Sequence, residues 1–182
     1  MSKETKVTIG IVVLVAAGLV GLLVLGNRSN GSNSTSTNDS KAPVIDGIQC
    51  ESEMVQIHYH AHLAMFQDGK EVALPAGIGI DNSASCLYWL HTHQPDGIIH
   101  IESPKDQQFT LGNFFDVWKQ PLSNTQAGPI KASNGQKLTV YVNGQPYTGD
   151  PKAIVLTAHQ KLVIEAGSPT VPPPDYTFPQ GD

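Results

Sequence analysis

The chain has 182 residues, which is enough for one ordinary domain with appendages and excludes a large multidomain assembly. Its 11 lysines and arginines against 16 aspartates and glutamates give a net charge of −5. Arg28 is the only arginine, so residues 44–182 contain no guanidinium group that binds a phosphate through two parallel hydrogen bonds. Nucleic-acid binding depends on basic side chains that neutralise phosphates. We therefore expect no nucleic-acid partner, and the composition points to no particular protein partner.

An uncharged apolar segment near the N-terminus predicts a single transmembrane helix. Residues 7–25 consist of Val, Ile, Leu, Ala and Gly besides Thr8, and such a helix nearly matches the ~30 Å hydrocarbon core of a bilayer. The segment is longer than the apolar stretch of a cleaved signal peptide, which favours an uncleaved anchor. Because Lys3 and Lys6 precede it, we expect residues 1–6 in the cytoplasm and the rest of the chain in an extracellular or periplasmic location.

Two segments of biased composition flank the predicted domain. Residues 26–43 are rich in Ser, Asn and Thr and offer almost nothing to bury, which predicts a disordered stalk. Residues 168–182 are rich in proline and predict an extended tail. Tyr176 and Phe178 in that tail favour packing against the domain, and a mobile peptide ligand is the alternative.

Residues 44–167 have the pattern of a mainly β domain, built from antiparallel hairpins that form a barrel or sandwich. Short apolar runs alternate with turn dipeptides such as Asp68-Gly69 and Asn143-Gly144. One short helix is predicted over Leu111–Trp118, with Thr110 as its N-cap. The predicted strands are His58–Phe66, Glu71–Leu74, Leu87–His93, Ile98–Glu102, Leu138–Val142 and Lys161–Glu165.

Six of the seven histidines fall between residues 58 and 100, in three groups on predicted strands. Side chains in a strand alternate between its two faces, so each group of alternate histidines lies on one face of its strand. On the first strand the opposite face carries apolar residues suited to the core. The groups are His58-x-His60-x-His62, His91-x-His93, and His100 with Glu102 two residues later.

The hairpin that joins the second and third groups has a preferred register. Pairing His91 with His100 keeps Ile99 and Ile101 on the apolar face, whereas a shift of one residue places them beside the histidines. Directly opposed residues have Cβ atoms about 4.5–5.5 Å apart, close enough for His91 and His100 to share one ion.

This arrangement predicts a transition-metal site. We expect the metal ligands to come from His60, His62, His91, His93 and His100, with His58 and Glu102 at the rim or in a supporting position. Imidazole-rich ligation favours Zn²⁺ or Cu²⁺, and Fe or Ni would also suit it. The predicted function is therefore metal binding by a membrane-anchored extracytoplasmic protein.

Cys50 and Cys86 are the only cysteines, and both lie in the predicted exported part. A disulfide between them is favoured because oxidising compartments permit it. Ligation of the metal by Cys86 is the alternative, but Cys86 lies five residues before His91 and so projects to the other face of an unbroken strand.

Four stretches resemble an uncharacterised family of exported or membrane-anchored prokaryotic proteins. The match covers most of residues 55–165 and includes His91, His93, His100 and Glu102, but it implies no particular activity. The stretches are HYHAHLAMF, ALPAGIGI, CLYWLHTHQPDGIIHIESP and FTLGNFFDVW.

Two other functions stay open. The H-x-H motifs with Pro75-Ala76-Gly77 are similar to the metal site of cupins, although the cupin Glu and His are missing at the corresponding spacings. The first alternative is a cupin-like metalloenzyme. Trp89 and Phe66 share the histidine faces of their strands and predict an apolar pocket beside the metal, and Glu102 would be the acid/base group. Alternatively, the histidines are structural and the domain is a surface interaction module. Motifs of common nucleophilic or nucleotide-dependent enzymes are absent, so no enzymatic activity is specified.

Overall fold

The computed structural model describes residues 42–53 and 56–181. The predicted cytoplasmic residues 1–6, the anchor at 7–25 and the stalk up to residue 41 lie outside the described residues. In the part of the chain that is described, no helix is long and apolar enough to cross a membrane.

Across residues 42–53 and 56–181 the fold is mainly β with one α-helix, α1 (Leu111–Trp118), and one 3-10 turn (Pro151–Ala153), consistent with a β-sandwich. The strands are β1 (Cys50–Glu51), β2 (Ile57–Gln67), β3 (Lys70–Glu71), β4 (Ile80–Asp81), β5 (Cys86–Tyr88), β6 (Leu90–His91), β7 (Ile98–Ser103), β8 (Gln126–Ala127), β9 (Ile130–Lys131), β10 (Thr139–Val142), β11 (Gln145–Tyr147) and β12 (Gln160–Ala166).

The main sheet is organised around the long strand β2. Its strand order is β11-β10-β12-β2-β7-β6, with β3 also paired to β2. β2 pairs antiparallel with β7 but parallel with β12. The parallel pair differs from the expected set of antiparallel hairpins, because it joins distant strands that no turn signal connects. It also distinguishes this sheet from the antiparallel jelly roll of cupins.

One face of the main sheet forms the hydrophobic core, as the alternation in the sequence predicts. Ala61, Leu63 and Met65 of β2 are at most 1% exposed. The fully buried Ile99 and Ile101 of β7 belong to the same core, as do the buried aromatic residues of α1. The histidines of β2 and β7 alternate with these residues and therefore lie on the other face of the sheet.

The helix has the predicted bounds, and Thr110 is its N-cap, as predicted. Thr110 Oγ1 accepts a hydrogen bond from the Asn113 N–H at 3.2 Å, and Asn113 Oδ1 accepts one from the Thr110 N–H at 2.9 Å. The helix ends at Lys119, which has a left-handed backbone with φ 59°. A Cβ at residue 112 would lie only 2.9 Å from the Lys152 carbonyl oxygen. Gly112 therefore allows the helix to pack closely on the 3-10 turn.

The predicted strand Leu87–His93 is divided at Trp89. β5 belongs to a three-stranded sheet with β1 and β4, whereas β6 belongs to the main sheet. The disulfide Cys50–Cys86 joins β1 to β5, as predicted. The chain therefore enters the main sheet from a crosslinked corner immediately before His91. The predicted strand Glu71–Leu74 is shorter than expected, because only Lys70–Glu71 pairs with β2.

The C-terminal segment, residues 168–181, runs back across the histidine face of the main sheet. The Val171 N–H donates to Glu165 Oε1 at 3.1 Å, and Lys161 forms an ion pair with Asp175. The Tyr176 ring stacks on His62 with ring centroids 3.5 Å apart. This segment therefore covers the β12 end of that face and leaves the β6 and β7 end to the remaining histidines.

Candidate metal centre

Three histidines lie in a row across three adjacent strands. His60 on β2 is directly opposite His100 on β7, and His100 is directly opposite His91 on β6. The second of these pairings is the predicted hairpin register. Because all three residues project from the same face, their rings meet above the sheet, with the His91 and His100 rings parallel to within 10° at a centroid distance of 5.2 Å.

His58 and His60 form the first of two close nitrogen pairs, here called the β2 pair. Their Nε2 atoms lie 3.1 Å apart, and His60 Nε2 lies 2.9 Å from His100 Nδ1. His58 is directly opposite Glu102 in the β2–β7 register. One nitrogen or oxygen from each of these four residues lies within 4.8 Å of all the others, which is an arrangement that suits a metal ion.

His91 and His93 form the second pair, here called the β6 pair. Their Nε2 atoms also lie 3.1 Å apart. His93 follows the end of β6 and is exposed, whereas His91 is 1% exposed. With His100 and Glu102 the β6 pair makes a second group whose four ligand atoms all lie within 4.8 Å of one another.

Glu102 lies between the two pairs and is buried, with 6% of the residue exposed. Its Oε1 atom lies 3.2 Å from His58 Nε2 and 3.5 Å from His100 Nδ1. The same oxygen lies 3.9 Å from His91 Nε2. The hydrogen bond with His100 is the main cause that holds the pKa of Glu102 below its ordinary value, while burial opposes it. An ionised oxygen therefore stands among the imidazole nitrogens and is available as a ligand.

The backbone fixes the tautomer of His91. Its Nδ1 lies 2.9 Å from the carbonyl oxygen of Tyr88, and because a carbonyl only accepts, Nδ1 carries the proton. Burial is the main cause that lowers the pKa of His91 to about 4. The imidazole is therefore neutral near pH 7, with the lone pair of Nε2 directed towards His93 and Glu102, as a metal ligand requires.

His62 is the one predicted ligand that the structure does not bring to this cluster. It lies opposite Ile98 in the β2–β7 register, one step beyond the His60–His100 pair. Its ring stacks on Tyr176 and hydrogen-bonds the backbone of Asp96, and burial lowers its pKa. The ligand set that the geometry supports therefore contains His58 in place of His62, and Glu102 is central to it. The histidine cluster hereafter means His58, His60, His91, His93 and His100.

Trp89 and Phe66 do not lie together at the cluster, in contrast to the expected apolar pocket. Phe66 lies six residues beyond His60 on β2, about 20 Å away at the rise of a strand. One cleft among the described residues adjoins the cluster, with a free volume of about 10 Å³, which is room for about one water molecule. Its lining residues are Glu51, Ser52, Glu53, Leu87, Tyr88, Trp89, His91 and Glu102.

No protein-family model matches the chain, and no curated protein or solved structure matches it.

The central position of Glu102 and the membership of His58 were only partly visible in the sequence. The H-x-E spacing of His100 and Glu102 placed the carboxylate on the histidine face. The choice between His58 and His62 depends on which of them stands opposite residues 100–102, and this register is set between two strands separated by about thirty residues. The pairing of His58 with Glu102 therefore identifies His58 as part of the ligand groups. No local sequence pattern contains this pairing.

Proposed function

We propose that this chain is a membrane-anchored, extracytoplasmic protein that binds a transition metal, Zn²⁺ or Cu²⁺, through its histidine cluster, in order to capture, store or deliver it. The observation that carries the proposal is the convergence of five imidazoles and one carboxylate in two groups, each with all its ligand atoms within 4.8 Å. Isolated structural histidines have no reason to converge in this way.

The chemistry of the donors supports Zn²⁺ or Cu²⁺. Imidazole nitrogens with one carboxylate oxygen suit both ions, and Fe and Ni are further candidates. Met65 is buried in the core on the opposite face of β2, so it adds no thioether that would favour Cu(I). Both cysteines are joined in the disulfide and provide no thiolate.

The accessibility of the cluster supports exchange of the ion with solvent. His58 and His93, one member of each pair, are exposed, whereas His60 and His91 are buried. An ion can therefore meet an outer imidazole first and then be enclosed by the inner one. The described cleft beside His91 and Glu102 has room for about one water molecule, which is enough for a water ligand of a bound ion.

The proposed location depends on two observations of different kinds. Cys50 and Cys86 form a disulfide, which is typical of an oxidising extracellular or periplasmic compartment. The apolar residues 7–25 predict the anchor from sequence alone. Protease treatment of cells whose outer membrane, where there is one, has been removed tests the location, since an extracellular or periplasmic domain is then digested while a cytoplasmic domain is protected by the inner membrane.

Calorimetric titration of the purified protein with Zn²⁺ and with Cu²⁺ tests the binding. We expect micromolar or tighter affinity, and a marked loss in the variant His91→Asn with His100→Gln. His62→Gln is the matched control, because His62 lies on the same face of β2 but outside both ligand groups. An equal loss in the control, or no binding by the parent protein, contradicts the proposal.

Thermal unfolding separates metal binding from a purely structural role of the histidines. A ligand that binds only the folded state raises the melting temperature in proportion to the logarithm of its concentration. We expect Zn²⁺ to raise the melting temperature and a chelator to reverse the rise. An unchanged melting temperature favours a surface interaction domain with structural histidines.

A further inference from the structure

The Nε2–Nε2 distance is the same in the two nitrogen pairs. It is close to the distance between two ligand atoms of one metal ion. In each pair the Nε2 atoms are 3.1 Å apart. Two nitrogens at about 2.0–2.1 Å from a tetrahedral zinc ion are separated by about 3.3–3.4 Å. Each pair therefore needs to open by only a few tenths of an ångström to hold an ion.

Six donors are more than one four-coordinate ion uses. Structural zinc sites almost always have four ligands, and catalytic ones keep three protein ligands and an open position. Here the β2 pair and the β6 pair belong to separate groups, and only His100 and Glu102 are common to both. A single ion would leave one close pair of imidazoles without a role.

We infer that the histidine cluster holds two metal ions, one at the β2 pair and one at the β6 pair, with Glu102 as the carboxylate between them. This inference rests on the proposed function and specifies its stoichiometry. Oε1 of Glu102 already lies 3.2 Å from His58 Nε2 on one side and 3.9 Å from His91 Nε2 on the other. Two-metal sites in proteins have ions about 3.5–4 Å apart, a distance that one carboxylate spans.

Two carboxylates besides Glu102 line the cleft next to the cluster. Glu102 is the one carboxylate in contact with the nitrogens in the described part of the cluster, and alone it offsets little of the mutual repulsion of two divalent ions. Glu51 and Glu53 line the cleft beside His91 and Glu102 and add negative charge close to the β6 pair. Glu51 is held in place by a hydrogen bond of 3.1 Å from the Trp89 indole N–H.

The two exposed histidines allow the pairs to be tested one at a time. His58 belongs only to the first group and His93 only to the second. Because both side chains are exposed, replacing either with alanine removes one ligand without opening the core. His62→Gln again serves as the control on the same face of the sheet.

The experiment counts the metal on the full-length protein. The protein is saturated with Zn²⁺, freed of unbound ion by gel filtration, and analysed for zinc by mass spectrometry and for protein by amino-acid analysis. We expect two zinc ions per chain in the parent protein and in His62→Gln, and one in each of His58→Ala and His93→Ala.

The possible results distinguish this inference from the proposed function. One zinc ion per chain in the parent protein overturns the two-ion inference and leaves metal binding intact, whereas no zinc contradicts both. Two ions that persist in His58→Ala and His93→Ala place the second ion elsewhere and also overturn the inference. Electron paramagnetic resonance with Cu²⁺ adds a direct test, since two adjacent ions produce the half-field signal of a coupled pair and two distant ions do not.

Discussion

The Nδ1–H of His91 donates a hydrogen bond of 2.9 Å to the backbone carbonyl of Tyr88. This contact holds the imidazole in the one tautomer that leaves Nε2 free to bind a metal ion. Tyr88 ends β5 and His91 ends β6, so the contact spans the corner at which the chain passes from the small sheet to the main sheet. The ligand is therefore oriented by the backbone of that corner, which the disulfide at Cys86 anchors.

Replacing His91 by asparagine separates this orienting contact from ligation. The asparagine amide retains a donor for the Tyr88 carbonyl but removes Nε2. We expect the affinity for Zn²⁺ to fall on the order of 100-fold or more, with little change in the far-ultraviolet circular dichroism. Calorimetry measures the affinity. Unchanged affinity in a folded His91→Asn protein would show that His91 is not a ligand.

Removing the charge of Glu102 is expected to weaken metal binding without a change of shape. In Glu102→Gln the buried side chain keeps its size but loses the ionised oxygen that lies among the nitrogens. We expect at least about a 10-fold lower affinity for Zn²⁺. Glu165→Gln is the matched control, since Glu165 is a buried carboxylate on β12 of the same sheet, 2% exposed and outside both ligand groups. Equal affinities of the two variants would contradict a role for Glu102.

The metal-free protein should become less stable as the pH falls, because buried His91 stays neutral in the folded protein at pH values where it is protonated in the unfolded chain. Burial lowers the pKa of His91 to about 4, whereas in the unfolded chain it is about 6.5. The unfolded state therefore binds a proton that the folded state does not, so the contribution is complete above about pH 6.5 and is lost towards about pH 4. The expected loss is at most about 3 kcal/mol.

Urea unfolding at several pH values measures this loss. His62, whose pKa burial also lowers, contributes a loss of the same sign in every variant that retains it. His91→Asn removes only the His91 contribution, so its free energy of unfolding should depend less on pH between about pH 6.5 and about pH 4. Parallel profiles for the two proteins would show that His91 does not titrate in this way.

The disulfide should account for a substantial part of the stability of the domain. Cys50 and Cys86 are 36 residues apart, and closing a loop of that length stabilises a fold by roughly 3–4 kcal/mol through the entropy of the unfolded chain. We expect Cys50→Ser with Cys86→Ser to lose about that free energy of unfolding in urea. The reduced parent protein is the control, and a disagreement between the two would indicate an effect of the substitutions themselves.

Tyr176 should stabilise the C-terminal segment on the sheet without binding metal. Its ring stacks on His62, which lies outside both ligand groups. We expect Tyr176→Ala to lose about 1 kcal/mol of stability, and Tyr176→Phe to retain most of it because the stacked ring remains. Zinc content should be unchanged in both. A fall in zinc content in Tyr176→Ala alone would mean that the segment also shapes the metal centre.

The sequence by itself determined the features that depend on neighbouring residues. Period-two alternation assigned the histidines of β2 and β7 to one face and Leu63 and Ile101 to the other, because successive side chains of a strand point in opposite directions. The short connection between β6 and β7 restricted their register, so the pairing of His91 with His100 was predictable. The helix and its Thr110 cap were predictable for the same reason, since capping involves residues only three apart.

Only the tertiary structure decided which histidines meet. β2 and β7 are separated by about thirty residues, so no turn limits their register, and the burial of the whole core selects the alignment that sets His58 opposite Glu102 and leaves His62 opposite Ile98. The parallel pairing of β2 with β12 likewise brings Tyr176 onto His62 from the far end of the chain. Such contacts form because the entropy lost on closing long loops is offset by the apolar surface that many residues bury together. A local sequence pattern does not contain that sum and so does not predict the contacts.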